Sequence, residues 1–142
     1  MIKYPILFNS KAQSQSSINS LWTIESQNIS NSCAIPEEFE GPGGALSPED
    51  LYAQALTNCF VATFKVFAEK SKLEFENVTC KGELIVDLDE NKKPWMKSFK
   101  LMAQIKNANS VDKAKLLAEK AFKTGFILNS VKTELSFELE LI

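Results

Sequence analysis

The sequence predicts an α+β protein, and three observations support that prediction. A long segment beginning near residue 48 has the composition and capping residues of a helix. Segments on both sides of it alternate apolar and polar residues, which is the period of half-buried strands. The elements follow the order sheet, helix, hairpin, helix, strand, with no internal repeat. The 142 residues are 44% hydrophobic and 24% charged, which suits a single domain spanning residues 1–142.

Residues 1–35 predict a small N-terminal sheet. The first apolar residues alternate with polar or smaller ones, as in a half-buried strand: Ile2, Tyr4, Ile6 and Phe8. The run 10–17, rich in serine and glutamine, is interpreted as a turn or flexible tip. Shorter strands are predicted over 18–24 and 29–35. Residues 36–47, rich in proline and glycine, form a loop.

A long helix is predicted from Pro48 to about Ser71. Ser47 supplies a hydroxyl cap, Pro48 occupies the first turn, and Glu49 and Asp50 lie at the positive end of the helix dipole. The middle of this helix is apolar nearly all round, through Leu56, Cys59, Phe60, Val61, Phe64, Val66 and Phe67. Such a helix is buried on more than one side, so we expect it to be the central helix of the fold.

The remaining elements are a hairpin, a second helix and a last strand. One hairpin strand directs Val78, Cys80, Leu84, Val86 and Leu88 inward, and the other directs Phe99, Leu101, Ala103 and Ile105 inward. Ser110 caps the second helix, and Gly125 suits its C-terminal stop. The last strand alternates Leu135, Phe137, Leu139 and Leu141 with polar residues. We expect these strands to form antiparallel sheets around the long helix.

Composition excludes several classes of function. The chain has no histidine, and its 16 cationic residues are all lysine. Histidine-dependent catalysis, histidine metal sites and bidentate arginine clamps are therefore excluded. A net charge of −2 argues against nucleic-acid binding, and no apolar run reaches the length of a membrane span. We expect a cytoplasmic protein without a signal peptide, metal or cofactor.

Three cysteines, Cys33, Cys59 and Cys80, are too few and too widely spaced for a disulfide framework or a zinc site. Cys59 is the only plausible nucleophile, although a cysteine within an apolar helix is more often a core residue. Lowering its pKa would require a lysine from elsewhere in the fold. Cys80 is most simply a core residue, and Cys33 is undecided. Glu49 has the ordinary role of complementing the helix dipole.

Two motifs resemble the OsmC/Ohr family of osmotically induced and organic hydroperoxide resistance proteins. The first runs from Pro36-Glu37-Glu38-Phe39-Glu40-Gly41-Pro42-Gly43-Gly44 through Ser47-Pro48-Glu49-Asp50-Leu51 to Ala55-Leu56-Thr57-Asn58-Cys59-Phe60. The second runs from Leu117-Ala118-Glu119-Lys120-Ala121-Phe122-Lys123-Thr124-Gly125 to Asn129-Ser130-Val131-Lys132. The order of the elements matches as well, so the resemblance spans nearly the whole chain.

The resemblance implies an intertwined α+β homodimer that reduces small hydrophobic hydroperoxides. In the family, a cysteine on the central helix attacks the peroxide, a second cysteine resolves the product, and a dithiol such as a lipoyl group restores the enzyme. Cys59 matches the attacking cysteine, and Glu49 matches a glutamate that helps to hold its thiolate at the subunit interface. The two residues are about 15 Å apart along one helix, so a shared site would need a second subunit or a break in the helix.

Two family residues have no counterpart in this chain. The resolving cysteine aligns with Gly125, and the arginine that holds the thiolate is missing. Cys33, Cys80 or an external thiol are the alternatives for resolution. Besides a thiol peroxidase acting through Cys59, two functions stay open: a non-peroxidase dimer that binds a small apolar ligand, and a thiol redox sensor.

Overall fold

The computed structural model describes all 142 residues, and its secondary structure follows the predicted order. Two compact units divide the chain, Met1–Leu51 and Tyr52–Ile142. Single turns of 3-10 helix cover Glu37–Phe39 and Leu128–Ser130. The main elements are β1 (Lys11–Gln13), β2 (Trp22–Ser26), β3 (Ile29–Cys33), α1 (Pro48–Lys70), β4 (Asn77–Leu88), β5 (Pro94–Lys106), α2 (Val111–Thr124) and β6 (Glu134–Leu141).

The first unit contains an antiparallel sheet with the strand order β1-β2-β3. β2 and β3 confirm the two shorter strands that the sequence predicts. The strand predicted from Ile2 to Phe8 is wrong, because residues 1–10 contain no strand and are exposed. β1 lies instead within the serine-rich run that was predicted as a turn. An alternating pattern becomes a strand only where a neighbouring strand pairs with it, and the chain supplies none for residues 1–10.

Helix α1 runs unbroken from Pro48 to Lys70, as predicted. Its N-terminus is closed by reciprocal hydrogen bonds: the Asp50 amide donates to Ser47 Oγ at 3.0 Å, and Asp50 Oδ2 accepts from the Ser47 amide at 2.9 Å. This arrangement satisfies backbone donors that a helix N-terminus leaves free. It also defines Pro48 as the first residue of the helix.

The second unit contains a sheet with the strand order β4-β5-β6. β4 and β5 form the predicted antiparallel hairpin. β6 pairs with β5 in parallel, which corrects the expectation of purely antiparallel sheets. The physical reason is α2, because the chain crosses from the end of β5 to the start of β6 through a helix, and such a crossover returns the strand in the same direction.

The core of the second unit is aromatic and lies between α1, α2 and the sheet. Phe60 and Phe64 stack on each other with ring centroids 5.9 Å apart, and both side chains are fully buried. Phe137 of β6 contacts Phe60 at 5.3 Å between centroids and Phe122 of α2 at 4.8 Å. This packing sets the distance at which the two helices approach each other. Neither α-helix is long and apolar enough to cross a bilayer.

The buried aromatic pair predicts a large stability difference between two neighbouring positions on α1. Phe64→Ala should lower the free energy of unfolding by about 3–5 kcal/mol, because it removes a fully buried ring and leaves a cavity. Lys65→Ala, at the exposed position beside it, should change it by no more than about 0.5 kcal/mol. Urea unfolding followed by circular dichroism measures both values. Equal losses in the two variants would contradict the packing described above.

Candidate functional site

Cys59 lies three turns into α1 and belongs to the core of the second unit. Its residue is 8% exposed, among Leu56, Phe60 and other buried hydrophobic side chains. A narrow part of its surface therefore stays open to solvent in the isolated chain. The thiol is free, as are those of Cys33 and Cys80.

The end of α2 contacts the Cys59 sulfur at Gly125. A β-carbon placed on Gly125 would lie 2.9 Å from Cys59 Sγ, 3.1 Å from the Ala121 carbonyl oxygen and 3.2 Å from Leu128 Cδ1. In a disulfide, the β-carbon of one half lies about 3 Å from the sulfur of the other. The fold therefore holds position 125 at disulfide distance from Cys59, although residue 125 carries no side chain.

Gly125 is the C-cap of α2, as predicted, but the reason for a glycine differs from the expected one. Its φ of −55° is open to any residue, so no left-handed conformation requires glycine here. The constraint is the space that Cys59 Sγ and the Ala121 carbonyl already occupy. Glycine at this position is therefore explained by close packing against the Cys59 thiol and not by the conformation that ends the helix.

A lysine that activates Cys59 stays a prediction, since no lysine of the same chain is hydrogen-bonded to the Cys59 thiol. The Cys59 thiol makes no hydrogen bond, and the three ion pairs of the chain involve Lys97, Lys100 and Lys106 on the sheet. Lys120 of α2 lies over the ring of Phe67, with Nζ 4.7 Å from the ring centroid. The immediate surroundings of the sulfur in this chain are apolar.

Glu49 lies in the first turn of α1, where its charge complements the helix dipole as predicted, but it makes none of the capping hydrogen bonds. The capping contacts at the start of α1 are made by Asp50, which accepts hydrogen bonds from both the amide and the hydroxyl of Ser47 at 2.9 Å. Glu49 is half-buried and makes no hydrogen bond or ion pair in the chain. Because α1 does not break between the two residues, Glu49 lies about 15 Å along the axis from Cys59.

Cys80 belongs to β4 and packs against the core between the sheet and α1. Two residues further along β4, a β-carbon on Gly82 would come within 2.8 Å of Thr57 Oγ1. Thr57 and Cys59 point in nearly opposite directions, because two helical residues turn by about 200°. Burial raises the pKa of the Cys80 thiol to about 11, which fits the predicted core residue.

Cys33 ends β3 in the first unit and is fully buried. Burial raises the pKa of its thiol, and the negative charge of Asp50 raises it further. Both effects oppose thiolate formation at neutral pH. Its sequence position alone gave no sign of this environment.

One polar contact near the site was missed by sequence reasoning. The hydroxyl groups of Tyr52 and Thr133 are 2.6 Å apart and form a hydrogen bond. Tyr52 lies seven residues before Cys59, on the same face of α1, and Thr133 is only 6% exposed. The seven-residue spacing is the signal that could have placed Tyr52 on the face of Cys59. Its partner, 81 residues away, has no sequence signal.

The profile of the family described as OsmC-like protein matches residues 41–140, which is most of the chain. An uncharacterized protein of Bacillus subtilis, YmaD, is 28% identical over 137 residues, covering 94% of this chain and 91% of YmaD. Two crystal structures share the fold. An OsmC-like protein of Mycoplasma pneumoniae has a TM-score of 0.80 at 14% identity, covering 98% of this chain and 99% of that one. An organic hydroperoxide resistance protein of Legionella pneumophila has a TM-score of 0.74 at 23% identity, covering 96% of this chain and 98% of that one.

The contact between Gly125 and Cys59 predicts that Gly125→Cys forms a disulfide with Cys59. The introduced β-carbon would start at 2.9 Å from Cys59 Sγ, so bond formation requires little movement. Mild oxidation followed by peptide mass spectrometry should detect one disulfide linking residues 59 and 125. Gly125→Ser, which is similar in size, is the matched control. An oxidised Gly125→Cys protein whose thiols all stay free would show that the two positions are not in contact.

The environment of Cys80 predicts a pH-dependent reactivity. With a pKa of about 11, a raised value, the thiol is protonated at neutral pH and loses its proton only as the pH approaches 11. At pH 8 it should carry roughly a hundredth of the thiolate of an ordinary cysteine. Iodoacetamide labelling of the Cys80 peptide between pH 7 and 11 measures this profile, with the urea-unfolded protein as control. Native and unfolded protein reacting alike at pH 8 would contradict it.

Proposed function

The chain belongs to the OsmC-like protein family, and on that premise we propose that it is a thiol peroxidase that reduces organic hydroperoxides through Cys59. One observation carries the proposal. Position 125, where the family resemblance places the second cysteine, lies at disulfide distance from Cys59. This contact supports the proposal that Cys59 is the redox centre, even though residue 125 is a glycine.

The proposed chemistry starts with the Cys59 thiolate. Its sulfur attacks the terminal peroxide oxygen, the O–O bond breaks, and the alkoxide leaves with a proton as an alcohol. Cys59 becomes a sulfenic acid, so sulfur is oxidised and the peroxide is reduced. The apolar side chains around Cys59 favour hydroperoxides with hydrophobic substituents, since such groups gain from leaving water.

Recycling is proposed to depend on an external dithiol. Gly125 offers no sulfur, and the raised pKa values of Cys33 and Cys80 leave both thiols poor nucleophiles at neutral pH. The first thiol of a lipoyl-type dithiol condenses with the sulfenic acid, releasing water and forming a mixed disulfide. The second thiol then displaces the Cys59 thiolate and leaves the reductant as a cyclic disulfide. This assignment replaces the alternative of Cys33 or Cys80 as resolving residue.

A homodimer is proposed to complete the site. The first unit buries few side chains, and the apolar residues at its start are among the most exposed of the chain, with Leu7 at 81% and Phe8 at 79%. Val66 of α1 is also exposed, at 49%. Surfaces of this kind are typical of protein interfaces. Glu49, unpaired in its own chain, is proposed to act on Cys59 of the partner subunit together with a lysine that replaces the missing arginine.

The three free cysteines suit a reducing compartment, and we place the protein in the cytoplasm on that ground.

Hydroperoxide consumption tests the proposed function. With cumene hydroperoxide and dihydrolipoamide, the wild-type protein should turn over, and Cys59→Ser should lose all protein-dependent consumption because the attacking sulfur is gone. Cys80→Ser is the matched control and should retain activity. Glu49→Gln should lower kcat/KM by roughly tenfold, as expected for the loss of a charge at the site. Equal consumption by wild type and Cys59→Ser would overturn the peroxidase and leave a ligand-binding scaffold.

A further inference from the structure

The segment from Gly125 to Thr133 covers the face of α1 that carries Cys59. At one end, Gly125 contacts Cys59 Sγ. At the other end, Thr133 is hydrogen-bonded to Tyr52, two helical turns before Cys59. Leu128, between them, is 2% exposed, and its Cδ1 would lie 3.2 Å from a β-carbon placed on Gly125. We call residues 125–133 the cover segment.

The cover segment is held to α1 by a single hydrogen bond. Its other hydrogen bonds are internal or go to α2: the Asn129 amide donates to the Gly125 carbonyl at 2.8 Å, and Ser130 Oγ donates to the Phe126 carbonyl at 2.6 Å. Between α1 and the cover segment, only the Tyr52–Thr133 pair joins polar groups. The remaining attachment is the apolar packing of Leu128.

The cover segment is also long enough to move without unfolding its neighbours. Its two attachment points, at the levels of Tyr52 and Cys59, are about 10 Å apart along α1. Eight residues can span about 26 Å when extended. The chain therefore has slack, and Phe126 and Ile127, at 80% and 45% exposure, lie outside the core. Lifting the cover segment would break the Tyr52–Thr133 hydrogen bond and expose Leu128, whereas Phe126 and Ile127 are already at the surface.

We propose that Tyr52 is a positioning residue whose hydrogen bond to Thr133 keeps the cover segment closed over Cys59. Breaking this bond raises the population of an open form in which the sulfur meets reagents in solution. The consequence for hydroperoxides rests on the proposed peroxidase function, whereas the effect on the accessibility of Cys59 does not. Tyr52 lies about 10 Å along α1 from Cys59, so its proposed action is through the cover segment.

The test is the rate at which N-ethylmaleimide modifies Cys59 in the native protein, followed on the Cys59 peptide by mass spectrometry. Loss of one hydrogen bond should raise the open population and the rate by about fivefold in Tyr52→Phe and equally in Thr133→Val. The double variant should react no faster than either single variant, because both lack the same bond. Tyr4→Phe is the matched control, because Tyr4 is the other tyrosine of the chain and is exposed; this variant should react like wild type.

Hydrogen exchange separates control of access from general stability. In Tyr52→Phe, the amides of Asn129 and Ser130 should exchange faster, while those of β5 keep their protection. Unchanged maleimide rates in both single variants would overturn the proposal. Faster exchange throughout β5 to the same degree would also overturn it, because Tyr52 would then stabilise the whole unit. Faster labelling of Cys59 in the two single variants, without any peroxide consumption by the wild-type protein, would reject the peroxidase function but support the proposed role of the cover segment.

Discussion

The contact between the Cys59 sulfur and the end of α2 is the constraint on which the site depends. It leaves little room for a side chain at position 125, since a β-carbon there would lie 2.9 Å from the sulfur and 3.1 Å from the Ala121 carbonyl oxygen. It requires α1 and α2 to meet at a fixed distance, which the ring of Phe137 maintains by packing against both Phe60 and Phe122. The aromatic core of the second unit thus serves to hold one sulfur against one backbone position.

Within a single chain, no hydrogen bond or ion pair joins a charged group to Cys59. The surroundings of Cys59 are apolar, and the nearest charged residue implied by the family, Glu49, lies about 15 Å away along an unbroken helix. The exposed apolar residues of the first unit and of α1 give an independent reason for a second subunit. In the proposed function, the activation of Cys59 therefore depends on formation of the homodimer.

Local patterns in the sequence predicted most of the fold. The cap at Ser47, the helix α1, the strands β4, β5 and β6, and the cap at Ser110 all depend on neighbouring residues, and all are confirmed. Burial of α1 on more than one side is not seen in the single chain, where the buried residues form one face and Val66 is exposed. The parallel pairing of β6 and the unpaired N-terminal residues were mispredicted, because pairing partners are set by tertiary structure. The same limit applies to the site. Cys59 could be singled out, but its contacts with residues 66 or more positions away could not be derived from residue patterns.

Trapping of the oxidised sulfur tests the central claim most directly. The purified protein is treated with one equivalent of cumene hydroperoxide in the presence of dimedone, which reacts with sulfenic acids, and each cysteine peptide is then analysed by mass spectrometry. The claim predicts a dimedone adduct on Cys59, with Cys33 and Cys80 unmodified. An adduct confined to Cys33 or Cys80, or none while the peroxide stays unconsumed, would contradict it.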